Sequence, residues 1–171
     1  MVNDNQKAGI NSVMVFHQNI CDLRGKMDEL TSSLSPNFPH ILCSSEHHLK
    51  KFELKQMNVE GYSLGAAYSR QVVKRGGVCI FVHKNLNYTT VDLGKYCKDQ
   101  DIEVCALKLE SFSFNAHIMS IYRAPMGNFK LFLNRLNDII KTFYKVDSTL
   151  IICGDINIDY HTDSDKKKMK I

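Results

Sequence analysis

The sequence predicts an α/β protein built from layers of strands and helices. Short apolar runs of strand length recur along the chain, a helical periodicity separates the first two of them, and one long amphipathic helix precedes the last. Such alternation is typical of layered α/β folds. With 171 residues, of which 44% are hydrophobic and 23% charged, the chain is long and apolar enough for one domain with a substantial core.

The first predicted unit is strand–helix–strand. Residues 13–17 form an apolar run bounded by polar residues, which indicates a strand. Leucine and methionine then recur at spacings of 4, 3 and 4 (Leu23, Met27, Leu30 and Leu34), which predicts an amphipathic helix over residues 22–35 that ends at Pro36. Residues 41–44 are a second short apolar run, interpreted as a buried strand.

The rest of the chain predicts five more strands and a long helix. Strands are expected at 61–65, 77–82, 103–109, 116–122 and 150–153, with Gly76-Gly77 as a turn and residues 110–115 as a hairpin connection. Residues 131–143 are the best helix, because apolar side chains recur on one stripe: Phe129, Phe132, Leu136, Ile139, Ile140 and Phe143.

Composition restricts the class of protein. The six cysteines form no C-x-x-C pair, and four lie in predicted strands, so free thiols in a reducing compartment are expected and a zinc site is not supported. Apolar runs of about five residues are too short to span a membrane. The polar N-terminus lacks an apolar signal region, which predicts an intracellular protein, nuclear or cytoplasmic and not secreted. The net charge of +4 permits nucleic-acid binding but does not demonstrate it.

Polar side chains follow four of the predicted strands. They are Asn19, Glu46, Tyr122 with Arg123, and Asp155 with Asn157. Taken singly, each residue is more often a turn or capping residue than a functional one. Together they suit phosphodiester hydrolysis, in which a hard divalent cation needs carboxylate oxygens and the attacking water and phosphate need polar partners.

A set of segments then carries a family resemblance. In chain order they read HQNICDLRGKMDEL, PHILCSSEHHL, EGYSL, RGGVCIFV, IYRAPMGNFKLFLNRL and LIICGDINID. This ordered set resembles the endonuclease/exonuclease/phosphatase family. The patterns NI-x-x-LR-x-K, YRAP-x-x-N-x-x-x-F and GD-x-N are most similar to the endonuclease domain of non-LTR retrotransposons.

The resemblance covers residues 13–159, with 1–12 expected as a polar N-terminal extension and 160–171 as a charged tail. It implies a DNase I-like fold: a four-layer α/β sandwich of two mixed β-sheets flanked by helices, here expected to be incomplete at the C-terminus. The family's later Asp–His segment finds no match after residue 159, and His161 is interpreted as an exposed tail residue.

The same resemblance implies a role for each site residue. Asn19 is expected to contact metal or phosphate, Glu46 to bind the metal, and Tyr122 to hold the scissile phosphate. Asp155 is expected to polarise the attacking water and Asn157 to bind the phosphate. Arg123 is expected either to face the phosphate or DNA or to make a structural pairing. His47 and His48 are expected in a surface loop, with a position lining the site as the alternative.

The implied activity is Mg²⁺-dependent (alternatively Mn²⁺-dependent) nicking of DNA by a retrotransposon endonuclease, in a longer chain joined to a reverse transcriptase. The expected lack of the Asp–His pair predicts impaired activity. Two alternatives stay open at this stage: another phosphodiesterase or phosphatase of the same fold, and an inactive remnant that at most binds metal or DNA.

Overall fold

Two four-stranded sheets form the centre of the molecule in a computed structural model that describes residues 12–110, 115–144 and 149–158. The first sheet has the order β1-β2-β4-β3, and the second has the order β5-β6-β7-β8. The strands of the first sheet are β1 (Val15–Asn19), β2 (Ile41–Ser45), β3 (Tyr62–Tyr68) and β4 (Val78–His83). Those of the second are β5 (Tyr88–Val91), β6 (Glu103–Leu109), β7 (Ala116–Tyr122) and β8 (Thr149–Asp155).

Both sheets are mixed. β1 pairs with β2 in parallel and β7 with β8 in parallel, whereas the remaining neighbours are antiparallel. The sheets lie face to face, and the core between them is formed by the inward side chains of both, including Ile41, Ile80, Leu107 and Ile118. Burial of these apolar faces against each other is the main stabilising contribution to such a sandwich.

Helices cover the outer faces of both sheets. The helix α1 (Met27–Leu34) and the helix α2 (Lys51–Gln56) pack on the first sheet, where Leu30 and Leu54 contact the cluster around Phe81. The helix α3 (Phe129–Tyr144) packs on the second sheet through Phe132 and Ile139. The predicted four-layer sandwich of two mixed sheets is therefore confirmed.

Most predicted elements are present, with shifted ends. The strands predicted at 103–109 and 116–122 are β6 and β7 without change, and the long helix extends two residues further at its N-terminus than predicted. The stripe of this helix is correct except at Ile140, which is 36% exposed. Of the predicted 110–115 connection, residues 111–114 lie outside the described part of the chain, as do nearly all of 1–12 and all of 160–171.

The start predicted for the first helix, residue 22, was wrong. The helix begins at Met27, because Cys21 and Asp22 adopt positive φ angles of 46° and 99° that no α-helix tolerates. The backbone N–H groups of Ile20, Asp22 and Leu23 instead donate to the carbonyls of residues 45–47. A tertiary contact with the end of β2 thus overrides the helical periodicity here.

Candidate active site

The ends of four strands meet at one edge of the sandwich. Because β1 is parallel to β2 and β7 to β8, the last residues of each pair lie side by side: Asn19 beside Ser45, and Tyr122 beside Asp155. Glu46 follows β2 directly. The predicted polar residues therefore converge from both sheets, as expected for a ligand site at the carboxyl ends of strands.

Asn19 joins the two sheets at this edge. Its side-chain Nδ2 donates to Glu46 Oε1 at 2.8 Å and to Asp155 Oδ2 at 2.9 Å. One neutral amide thereby holds two carboxylates near each other, although like charges at this separation repel. One carboxylate from each sheet thus places an oxygen atom next to the Asn19 nitrogen.

The Glu46 carboxylate is held by three side chains. Besides Asn19, the Tyr122 hydroxyl hydrogen-bonds to it, and His48 Nε2 lies 3.3 Å from Oε2. Burial raises the pKa of Glu46, but the hydrogen bonds from Asn19, His48 and Tyr122 outweigh that effect and leave the pKa below its ordinary value. Glu46 is therefore an anion at neutral pH and a suitable cation ligand.

Tyr122 is 3% exposed at the end of β7. Burial and the neighbouring Glu46 carboxylate raise the pKa of its hydroxyl, so the phenol stays protonated and acts as a donor. The guanidinium of Arg70 lies 5.8 Å from the centre of its ring. Its position is therefore set from both ends, by a carboxylate at the hydroxyl and a cation at the ring face.

Asp155 and Asn157 form a tight turn after β8. The backbone N–H of Asn157 donates to Asp155 Oδ1 at 2.9 Å, and the Asn157 side-chain Nδ2 donates to the carbonyl of Arg123 at 2.8 Å. Asn157 has a positive φ of 49°, which asparagine tolerates better than most residues. Both oxygens of the Asp155 carboxylate are thus oriented, one by Asn157 and one by Asn19.

Arg123 takes the structural role that the sequence left open. The residue is 5% exposed, and each of its guanidinium nitrogens donates to a backbone carbonyl. The acceptors are Ile156 at 2.8 Å, Gly127 at 2.7 Å, Pro125 at 3.4 Å and Asn157 at 2.6 Å. These bonds tie the β7 and β8 loops together. A direct contact of Arg123 with phosphate stays an untested prediction.

A buried ion pair between Arg70 and Glu103 supports the site. Arg70 Nε contacts Glu103 Oε1 at 2.6 Å, and both side chains are almost fully buried. Glu103 also accepts the backbone N–H of Gly77 at 2.6 Å and of Gln100 at 2.9 Å. Removing one member of such a pair would leave a buried charge without its partner, which is strongly destabilising.

The Gly76-Gly77 pair is more than a turn. Both residues have positive φ, and a Cβ at Gly76 would lie 2.3 Å from Arg70 while one at Gly77 would lie 2.3 Å from His47. Only glycine allows the backbone to approach these two side chains so closely. The glycines therefore make room for Arg70, which lies over the Tyr122 ring, and for the buried His47.

The surface-loop expectation was wrong for His47, and His48 takes the alternative position at the site. His47 is completely buried, accepting the N–H of Leu49 at 3.0 Å through Nδ1 and contacting the Tyr68 carbonyl at 3.0 Å through Nε2. Burial lowers the pKa of His47 to about 4. His48 lines the site beside Glu46. Glu46 and His48, on either side of His47, both adopt positive φ angles, of 56° and 61°.

A cleft of about 790 Å³ opens beside His48. Its wall carries five basic side chains and two acidic ones: Arg24, Lys50, Arg70, Lys74 and Arg75, with Asp22 and Glu53. Arg70 and Arg24 are paired with acidic groups, whereas Lys74 and Arg75 lie in the exposed loop between β3 and β4. The excess of positive charge suits a polyanion next to the carboxylate cluster.

The donor set fits a hard divalent cation. Mg²⁺ prefers oxygen ligands and commonly takes only one or two protein carboxylates, with water and phosphate completing its shell. Glu46 and Asp155 supply carboxylate oxygens around Asn19, whose amide also carries an oxygen. The residues that the sequence selected for this chemistry are therefore close together, and Arg123 lies beside them as the support of the β7 and β8 loops.

Sequence reasoning missed Arg70 and Glu103 at this site, and it considered His48 only as an alternative to a surface-loop residue. The signal for Glu103 was its place at the start of an otherwise apolar run, since a charge in a buried strand needs a partner. Nothing local identified that partner as Arg70, which lies 33 residues earlier. The expected lack of the Asp–His segment after residue 159 lies outside the described residues. The six cysteines are free, as predicted, and Cys43, Cys79 and Cys105 are buried.

Comparison with known proteins shows the fold. No protein-family model and no curated protein matches the chain. The endonuclease domain of TRAS1, a telomere-specific non-LTR retrotransposon, matches with a TM-score of 0.63 and 12% identity over 86% of this chain and 60% of that one. D. rerio TDP2 complexed with a single-strand DNA product matches with a TM-score of 0.61 and 12% identity over 86% and 61%.

A third match is the mannosyl-6-phosphatase Bt3783 of Bacteroides thetaiotaomicron, with a TM-score of 0.62 and 14% identity over 92% of this chain and 70% of that one. All three have the DNase I-like fold of endonucleases, exonucleases and phosphatases. The chain spans about 60% of the length of the first two. None of the helices within the described residues is long and apolar enough to cross a membrane.

Proposed function

We propose that this chain catalyses metal-dependent phosphodiester hydrolysis and nicks DNA as the endonuclease of a non-LTR retrotransposon. The observation that carries the proposal is the Asn19 bridge, which brings the carboxylates of Glu46 and Asp155 from opposite sheets to one amide. The proposed domain is 13–159, with DNA as substrate and a fused reverse transcriptase in a longer chain. An intracellular location, nuclear or cytoplasmic, stays a prediction.

Glu46 and Asn19 would hold the cation, for which Mg²⁺ is proposed and Mn²⁺ is the alternative. Glu46 is ionised because its hydrogen bonds keep its pKa low, and Asn19 carries an amide oxygen beside the nitrogen that bridges the two carboxylates. When bound, such an ion neutralises negative charge that develops on the phosphate oxygens. Both residues have hard oxygen donors, which favours Mg²⁺ over softer metals at this position.

Asp155 is proposed to orient the attacking water and accept its proton. Asn157 and Asn19 fix its two carboxylate oxygens, so the carboxylate meets the water in one orientation. The water oxygen forms a bond to phosphorus, and the bond from phosphorus to the 3′ oxygen breaks. The leaving oxygen takes up a proton from solvent water, which gives a 3′-hydroxyl of the kind that primes reverse transcription.

Tyr122 and Asn157 are proposed to hold the phosphate. The Tyr122 hydroxyl donates its one hydrogen to Glu46 in this structure and would redirect it to a phosphate oxygen once Glu46 binds the cation. The Asn157 amide uses one hydrogen in its bond to Arg123. A primary amide has two hydrogens, so the second suits a non-bridging phosphate oxygen. Donors placed before the reaction stabilise charge without reorganisation, which is the main contribution of such groups.

The substrate class follows from charge. The basic cleft beside His48 adjoins the carboxylate cluster, and Lys74 and Arg75 extend it along the β3–β4 loop. A DNA backbone carries closely spaced phosphates that such a surface binds mainly by releasing counterions. The DNA product bound by TDP2, a protein of the same fold, agrees with this choice.

The test is nicking of supercoiled plasmid, run on this chain and on the longest chain that its reading frame encodes. Relaxed circles are expected with Mg²⁺ and not with EDTA, and Asp155→Asn should prevent their formation. A sugar phosphate serves as the rival substrate. Release of phosphate from it, with intact plasmid, would overturn the nuclease in favour of a phosphatase. Metal-independent nicking would overturn the mechanism.

A further inference from the structure

Three side chains on the His48 side of Glu46 form a second set of metal ligands. The Sγ of Cys21, a carboxylate oxygen of Glu46 and a ring nitrogen of His48 all lie within 4.8 Å of one another. Across the described residues, this is the one group of three or more His, Cys, Asp or Glu side chains with that spacing. Only the Glu46 carboxylate belongs to the Mg²⁺ chemistry proposed above.

The chemistry of this set differs from that of the Asn19 side. Mg²⁺ takes oxygen ligands, whereas thiolate and imidazole favour softer ions such as Zn²⁺. We propose that Cys21, Glu46 and His48 bind a soft divalent cation of the Zn²⁺ class, with the fourth position open. Three protein ligands and one open position are the usual arrangement for zinc that binds water or substrate.

The backbone holds the three ligands in place. The loop that carries Cys21 is hydrogen-bonded to the loop that carries Glu46 and His48: Asp22 N donates to the Glu46 carbonyl at 3.0 Å, and Ile20 N donates to the Ser45 carbonyl at 3.0 Å. His48 N is bound to the Gly76 carbonyl at 2.9 Å. Cys21 therefore lies next to the pair without any need for loop movement.

The distances suit a metal after a small side-chain adjustment. His48 Nε2 and Glu46 Oε2 are 3.3 Å apart. Zinc bonds of about 2.0–2.3 Å place tetrahedral ligand atoms roughly 3.3–3.8 Å apart, so this pair already fits. The Cys21 Sγ lies at most 4.8 Å from the other two ligand atoms, so a movement of about 1 Å brings it into range. Cys21 is exposed, so its side chain can rotate to make this movement.

The two sides of Glu46 then take different ions. Oε1 contacts Asn19, and Oε2 contacts His48. A Zn²⁺ ion bound at Oε2 would neutralise the carboxylate charge that Mg²⁺ binding requires, so we expect Zn²⁺ to inhibit DNA nicking. This consequence rests on the proposed function, whereas binding of the soft ion does not.

The experiment is a titration of the reduced protein with Co²⁺, a spectroscopic substitute for Zn²⁺, followed by competition with Zn²⁺. A sulfur-to-cobalt charge-transfer band is expected in the near ultraviolet and should disappear when Zn²⁺ displaces the probe. Cys21→Ser should abolish the band. Loss of a residue that only supports a metal ligand weakens metal affinity by roughly 10–100-fold. His48→Gln removes a ligand itself, so it should weaken Co²⁺ affinity by more than this.

Cys97→Ser is the matched control, because Cys97 is a partly buried thiol that donates to backbone carbonyls. It should keep the band. Retention of the band in Cys21→Ser, or no band in the unaltered chain, would overturn the proposal. Plasmid nicking is scored separately, so a chain that binds Co²⁺ through Cys21 but leaves DNA intact would refute the nuclease and not the site.

Discussion

Asn19 and Asp155 end strands in opposite sheets, 136 residues apart, and are joined by a 2.9 Å hydrogen bond. The same Asn19 nitrogen reaches Glu46. A single amide thus links the two halves of the sandwich where the proposed reaction takes place. The stability of the sheet contact and the geometry of the site are therefore coupled, and substitutions in either are expected to be felt in the other.

Glu46 is expected to be the main ligand for the hard cation. Mg²⁺ or Mn²⁺ should raise the melting temperature of the chain, because a ligand that binds only the folded state stabilises it. Glu46→Gln should remove most of this shift in differential scanning fluorimetry. Glu60→Gln, at an exposed position before β3, is the control and should keep it. An equal shift in both variants would place the cation elsewhere.

Asp155→Asn is expected to reduce nicking by a factor of roughly 10²–10⁴, the usual contribution of a positioned acid–base group. The amide keeps the size of the side chain and removes its charge, so the fold should persist. Asp138→Asn, on the exposed face of α3, tests for a general effect of lost negative charge. Initial rates that fall equally in both variants would contradict the role of Asp155.

The long helix α3 is expected to be a core element. Phe132 is 1% exposed, so Phe132→Ala should cost about 3–5 kcal/mol in the free energy of unfolding, measured with urea. Ile140 on the same helix is 36% exposed, and Ile140→Ala should cost much less. If Phe132→Ala left stability unchanged and instead removed DNA binding, α3 would be a recognition helix.

His47 is expected to make the folded state sensitive to acid. Burial lowers its pKa from 6.5 to about 4. Protonation of Nδ1 would also break its hydrogen bond with the Leu49 N–H, because both groups would then be donors. As the pH falls from 6.5 to 4, His47 binds a proton in the unfolded chain but not in the folded chain. The free energy of unfolding should therefore decrease across this window, by about 3 kcal/mol, and level off below it.

The measurement is urea unfolding at several pH values between 4 and 7. His47→Gln keeps polar groups at the position but does not titrate, so its stability should vary less over the window. The range from pH 5 to 6.5 is the most informative, because it lies within the window of the His47 pKa shift. Parallel curves for the two proteins would mean that another group causes the acid sensitivity.

DNA binding is expected to depend on ionic interactions with phosphates and to weaken steeply with salt. The slope of log affinity against log salt should be smaller by roughly 0.9 for each phosphate interaction that a substitution removes. Arg75→Gln, in the basic cleft, should reduce it, and Lys141→Gln, on the exposed face of α3, should not. Binding that ignored salt but selected a sequence would contradict this electrostatic account.

Local patterns in the sequence predicted much of the fold. Apolar runs of strand length and one amphipathic stripe located seven of the eight strands and the helix α3, because burial imposes periods that the chain itself displays. β5 was missed because two of its four residues are exposed and the other two are only partly buried. The six-residue α2, with Leu54 as its buried residue, was too short to show a period.

The sequence by itself determined which polar residues end the strands, because strand ends are local features. It could not determine what those residues touch. Only the tertiary structure brought Asn19 to Asp155, paired Arg70 with Glu103, buried His47 and set Cys21 beside His48. Each of these contacts joins separate loops or sheets, or depends on positive φ angles, and the relative placement of such segments is decided by the packing of two sheets on a common core.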